Sequence, residues 1–321
     1  MPTIDTEVAY QPAWLTWVAS VTTCLRTLGI DCDTADVAGM TGYAFVMAVH
    51  DELCPSGPTM FDWGMLDHGV NLLGRSTLVF ACSDCHTGDR RCERTRAHCR
   101  EAFELVQREV AAGRPCVVWG AYLPEFAVAV GVEGDAYRVK GFREVTGQDQ
   151  PPIPYDAIDA PGGPYVMAFP TPTGVSQDPR HGDRFVIGHA VQLLRGRSAF
   201  KQYGFGLEAY DRWIRALERN RADLFGNAYN AQCWAEAKRS AHAFLPRVAA
   251  RHADAAPALE LATRHYGDVV ESMNRVAALF PFPPGAELEI EDFRLQAIHA
   301  LDSARAAETE ALAALVEAAA S

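Results

Sequence analysis

Between residues 13 and 28 the apolar side chains Trp14, Trp17, Val18, Val21, Cys24, Leu25 and Leu28 recur at steps of three and four. A period near 3.6 predicts a buried helix, and Gly29 supplies its C-terminal stop. Asp33 or Thr34 can cap a second short helix ending near Gly42, and residues 62–73 predict a third that stops at Gly74. The pattern then changes. Residues 77–81 read as a strand and 94–112 as an amphipathic helix closed by Gly113. Residues 116–122, 126–132 and 136–142 are short β-rich runs separated by turns such as Glu133-Gly134-Asp135. Connections that short predict an antiparallel sheet.

Residues 148–179 are rich in proline, including Pro151-Pro152, Pro161-Gly162-Gly163-Pro164 and Pro170-Thr171-Pro172. Such a stretch predicts a boundary between a first domain at residues 1–175 and a second at residues 176–321. Beyond it, Leu207, Tyr210, Trp213, Ile214 and Leu217 mark one helix face, and residues 228–250, 258–280 and 291–320 are alanine-rich helical segments. Together they predict a helical bundle, with Pro246 kinking or ending the second helix. The fold class expected is α+β, followed by an α-helical domain.

Composition narrows the function classes. With 49% hydrophobic and 22% charged residues, the 321-residue chain has enough apolar side chains for two cores. Its 29 Lys plus Arg against 41 Asp plus Glu give a net charge of −12, the wrong sign for neutralising nucleic-acid phosphates. Apolar runs break well before the roughly 18 residues of a membrane crossing. The first ten residues lack the basic and apolar regions of a secretory signal, so the expected location is cytoplasmic. Nine cysteines, several of them isolated, suit reduced thiols better than a disulfide framework.

The densest thiol content lies in CSDCHTGDRRCERTRAHC, which holds Cys82, Cys85, His86, Cys92, His98 and Cys99. Cys82 and Cys85 have the spacing of a zinc knuckle, and Cys92 and Cys99 could complete a tetrahedral sulfur site. That second pair stands seven positions apart, longer than usual, and if residues from 91 are helical, Cys92 and Cys99 share a stripe with Phe103, Val106 and Val110. Three readings therefore stand: no cofactor with a structural core, a zinc site, or a redox pair at Cys82 and Cys85. In the tail, His242, His265 and His299 lack the Glu-x-x-His pairing of a bundle metal centre, and His189 sits at an expected helix start. Gly204-Phe205-Gly206 lacks a preceding strand and makes a weak phosphate loop.

A first helix closing on Leu28-Gly29, followed by AAGRPCVVWGAYLPEFAVAVGVEGDAYRVKGF, resembles the papain-like fold of bacteriocin-processing cysteine peptidases and, more closely, the butirosin biosynthesis protein H type. The resemblance spans roughly residues 8–170 by order of elements. It implies a papain-like cysteine-peptidase-like domain followed by a helical region, and an activity that transfers an acyl group from a carrier protein to an aminoglycoside amine. The nucleophilic thiol of that type stands about thirteen residues before the helix-ending glycine, where this chain has Thr16. Its partner histidine stands about six residues ahead of a glycine in the second strand, where this chain has Glu125. The orienting Asp or Asn is replaced by Lys140 and Gly141.

The residues expected to carry chemistry follow from these positions. Thr16 and Glu125 occupy the catalytic places, and Gln11 stands where such enzymes hold an oxyanion-stabilising amide. An ordinary carboxylate, with pKa near 4.3, is a weak base toward a hydroxyl, so the expected protein binds rather than cleaves. Its ligand would be a small molecule or peptide-like group contacting Trp17, Tyr43, His50 and Ser56. The alternative is an active acyl or amide transferase with a non-standard nucleophile, or Cys24 in that role. A homodimer through the alanine-rich tail is the oligomer these helices would favour, with no nucleic-acid or membrane partner.

Overall fold

The computed structural model describes residues 3–4, 8–82, 93–158, 163–173, 179–196 and 198–321. Its elements begin with helices α1 (Thr16–Thr27) and α2 (Thr34–Thr41), strand β1 (Ala48–His50), helix α3 (Gly64–Leu72), strand β2 (Leu78–Ala81) and helix α4 (Glu93–Ala111). Strands β3 (Cys116–Trp119), β4 (Phe126–Glu133) and β5 (Ala136–Lys140) follow, then the one-turn helix α5 (Phe142–Val145) and strands β6 (Ile153–Pro154) and β7 (Tyr165–Ala168). The remainder is helix α6 (Pro179–Leu194), strand β8 (Tyr203–Phe205) and helices α7 (Glu208–Glu218), α8 (Leu224–Ala249), α9 (Ala256–Leu279) and α10 (Glu291–Ala320). The fold is mixed α/β, with a six-stranded antiparallel sheet and a C-terminal helical region.

Two compact units divide the chain: Met1–Val37 with Val70–Val175, and Ala38–Gly69 with Ser176–Ser321. Residues 38–69, expected in the first domain, group with the helical unit instead. The reason is hydrogen bonding: β1 pairs antiparallel with β8, and Asp223 N donates to Glu52 O at 2.8 Å.

In the first unit the strand order is β2-β7-β3-β4-β5-β6, every neighbour antiparallel. Alternation along β3 and β4 sends Cys116, Val118, Ala127 and Ala129 into one core with Phe103, Val106 and Val110 of α4. Fully burying an aromatic or aliphatic side chain there contributes about 1.5–3 kcal/mol each. Val117 and Val128 point to the other face and are equally buried; α1 packs on the same two strands. That helix ends at Gly29, whose φ of +82° suits a residue without Cβ, and Ile30 N closes the turn on Leu25 O at 3.0 Å. Helix α2 opens on reciprocal caps, Asp36 N to Asp33 Oδ1 at 2.9 Å and Asp33 N to Asp36 Oδ2 at 3.1 Å.

In the helical unit, α10 packs on α6, α7 and α9, and α8 packs on α9. Among its buried apolar side chains lies a charged network. Glu308, from α10, is 1% exposed and accepts from Lys238 Nζ of α8 at 2.7 Å, Tyr266 Oη of α9 at 2.8 Å and Tyr210 Oη of α7 at 2.7 Å. Helices α7, α8 and α9 thus each give one side chain to a single carboxylate of α10. Pro246 lies in the last turn of α8, which ends three residues later at Ala249. His189 lies inside α6 rather than at its start, and Gly204-Phe205-Gly206 forms β8 and the turn after it.

Candidate functional site

Thr16 is the first residue of α1, and Glu125 immediately precedes β4. The loop from β3 is held by Gly120 N on Glu125 O at 3.0 Å, which aims the Glu125 side chain at the helix end. Thr16 Oγ1 donates to Glu125 Oε2 at 2.5 Å and accepts from Phe126 N at 3.1 Å. The proton of the hydroxyl and one of its lone pairs are therefore engaged. Thr16 is buried and Glu125 half-buried. No acidic residue of α1 lies in its first turn, and its N-cap residue, Leu15, makes no side-chain cap. Glu125 thus places a negative charge beside the positive end of the helix dipole.

The next residue after Glu125, Phe126, belongs to a group of aromatic side chains. Phe126 packs against Trp119 with ring centroids 4.7 Å apart and edge-on against Tyr165 at 5.6 Å. Trp14 meets Phe142 at 6.2 Å. Trp14, Trp119 and Tyr165 are half-buried. Sequence reasoning missed Trp119 and Tyr165; the β-strand alternation that brings them to Phe126 was the only signal available. At the third position, Lys140 pairs with Glu144 at 3.4 Å, and a Cβ on Gly141 would lie 3.1 Å from that of Ala127. Neither residue offers a group to orient a base.

Other expected residues fall elsewhere. Gln11 N donates to Thr23 Oγ1 at 3.0 Å, beside a residue about 10 Å along α1 from Thr16 at 1.5 Å per residue. That anchor does not join Gln11 to the pair. Trp17 is a core residue, 1% exposed, and Cys24 is fully buried, with burial pushing its thiol well up, which suits packing rather than attack. Tyr43, His50 and Ser56 belong to the helical unit. Tyr43 gives its hydroxyl to Pro58 O at 2.5 Å and packs edge-on against Phe61 and Trp63, which makes it a brace for its loop. His50 and Ser56 come together around Tyr203 and Cys54.

Of the four sulfurs considered for zinc, Cys85 and Cys92 lie outside the described residues. Cys82 Sγ is 2.8 Å from His98 Nδ1, and Cys99 is buried with Phe103, Val106 and Val110. Among the described residues there is no group of three or more His, Cys, Asp or Glu able to hold a metal ion. His189 stacks on Phe185 at 5.5 Å, and burial holds its imidazole below the ordinary range. Among the described residues no helix is long and apolar enough to cross a membrane. Neither a protein-family model nor a curated protein matches the chain.

Proposed function

We propose that the first unit is a papain-like domain of the butirosin-type acyltransferase kind whose nucleophile and base have become Thr16 and Glu125, and that it binds a ligand instead of cleaving one. The observation that carries this reading is the short bond from Thr16 Oγ1 to Glu125 Oε2, with Phe126 N on the same hydroxyl. Attack would need the hydroxyl proton to pass to the carboxylate, and an ordinary carboxylate is a weak base for that transfer. Glu125 is a half-buried carboxylate beside the start of α1. Such a group favours an amine-bearing small molecule or peptide-like group, through a charge-assisted hydrogen bond.

The test is titration calorimetry of the full chain with an aminoglycoside, a simple primary amine and a short peptide. Binding of one of them, weakened about tenfold or more in Glu125→Gln, is the expected result, because a hydrogen bond to a charged group contributes about 1.5–3 kcal/mol. Stable acylation of Thr16 by a small acyl thioester, seen by intact mass, would establish the transferase reading in its place.

A further inference from the structure

The edges of the six-stranded sheet are β6 and β2, and the sequence treats them oppositely. Strand β6 is two residues long and stands among Pro151, Pro152 and Pro154, which lack the N–H that a further strand would need. Strand β2 and its flanks read Ser76-Thr77-Leu78-Val79-Phe80-Ala81-Cys82, with no charge, proline or glycine. Leu78 is 45% and Val79 37% exposed; Ala81 is exposed and Phe80 half-buried. The register with β7 tells where the main-chain groups point. Cys82 N donates to Pro164 O at 3.2 Å, which makes these two a hydrogen-bonded pair of the ladder that sets Phe80 opposite Val166 and Leu78 opposite Ala168. Such pairs alternate along an antiparallel ladder, so Leu78 and Phe80 turn their N–H and C=O to β7, while Val79 and Ala81 turn theirs outward. Among the described residues no strand pairs with that outer side.

We infer that the β2 edge pairs with the β2 edge of a second copy of this chain, across a two-fold axis, and that the two sheets join into one. An antiparallel edge is self-complementary under such an axis. The register that pairs the outward residues of β2 with one another sets Val79 opposite Ala81 of the second copy, each pair exchanging both main-chain hydrogen bonds, and brings Phe80 opposite Phe80 on the axis. Charge selects the occupant. Each chain carries a net −12, and residues 76–82 offer a like-charged copy a stretch free of charge. Both faces of that stretch are apolar, so the strand that joins it must be apolar on both faces, and the same strand of a second copy meets this condition. The strip is short: four residues of strand, about 14 Å long, cover less than the roughly 800 Å² per partner of a standard interface, so the dimer forms and parts with concentration. This edge shares no residue with the Thr16–Glu125 pair, and the two readings stand or fall separately.

Sedimentation of the full chain across the micromolar to millimolar range is expected to show a monomer–dimer equilibrium. Added sodium chloride should shift it toward dimer, because salt screens the repulsion between two anionic chains. Hydrogen–deuterium exchange over the same concentration series should slow in the peptide that holds Val79 and Ala81. Val79→Pro removes only an outward N–H, and Val79→Lys sets a charge on the edge; each should raise the dimer dissociation constant about tenfold or more. Circular dichroism confirms that each variant is folded, and the exchange measurement on the unaltered chain decides if neither is. A chain that is monomeric throughout the series, a dimer unchanged in the folded variants, or protection that grows in the alanine-rich helices and not at β2 overturns the inference.

Discussion

Replacing Lys238 with methionine removes the cation that, among the described residues, is bonded to the buried Glu308 carboxylate, while keeping most of the side-chain volume. Lys238 is 0% exposed and Glu308 1%. The two tyrosine hydroxyls at 2.7 and 2.8 Å remain, so the carboxylate keeps hydrogen bonds but loses its countercharge. Breaking one side of such a pair costs about 3–5 kcal/mol. For a unit of this size each kcal/mol lowers Tm by about 2–4 °C, so the melting transition of the helical unit should fall by roughly 6–20 °C. Scanning calorimetry of the full chain measures it. The double variant Lys238→Met with Glu308→Gln is expected to recover part of the loss, because a neutral amide still accepts from a tyrosine and leaves no unpaired charge. A Lys238→Met cost under about 1 kcal/mol, or a double variant as unstable as the single, would refute a charge pair that matters to stability.

Three further outcomes are expected. Burial and Glu308 hold the Tyr210 and Tyr266 phenols well above their ordinary range, so stability is complete below about pH 10 and declines above it as the unfolded tyrosines ionise; denaturant melts between pH 8 and 11 measure this, and a flat profile refutes it. Gly226→Ala should destabilise by more than about 1 kcal/mol, since its Cβ would lie 1.9 Å from Leu53 O, and an unchanged denaturation midpoint would show that the backbones can part. The double variant Thr16→Cys with Glu125→His should gain a thiol alkylated by iodoacetamide faster than Cys24; an inert Cys at position 16 would mean that the two positions do not form a thiol–imidazole pair.

The elements that glycine punctuates were legible. Helices α1, α3 and α4 end within two residues of where Gly29, Gly74 and Gly113 placed them, and Asp33 caps α2 as its side chain allows. The contact between Thr16 and Glu125 joins residues 109 apart, yet counting back from the two glycines named both. Less could be read where period is short. Strands β1 and β8 have three residues each, too few for alternation to declare a partner, so residues 38–69 were assigned to the wrong unit. The Glu308 network was missed for another reason. On α10 that glutamate stands in step with Leu301, Ala304, Ala311 and Leu315, and on α8 Lys238 stands in step with Trp234 and Ala241, each a charge on an apolar stripe. Such a charge invites the question of a partner, but helix periodicity alone cannot say which helix supplies it.

Because β1 hydrogen-bonds to β8, about 150 residues later in the chain, the helical unit cannot be completed as it leaves the ribosome in order. At about 5–20 residues per second, the apolar run around Val46, Met47 and Val49 waits roughly 8–30 s for its sheet partner to be made. A fragment cut at residue 175 would carry that orphaned run permanently. Production of the first unit alone therefore calls for removing residues 38–69 as well, with a short polar linker joining 37 to 70.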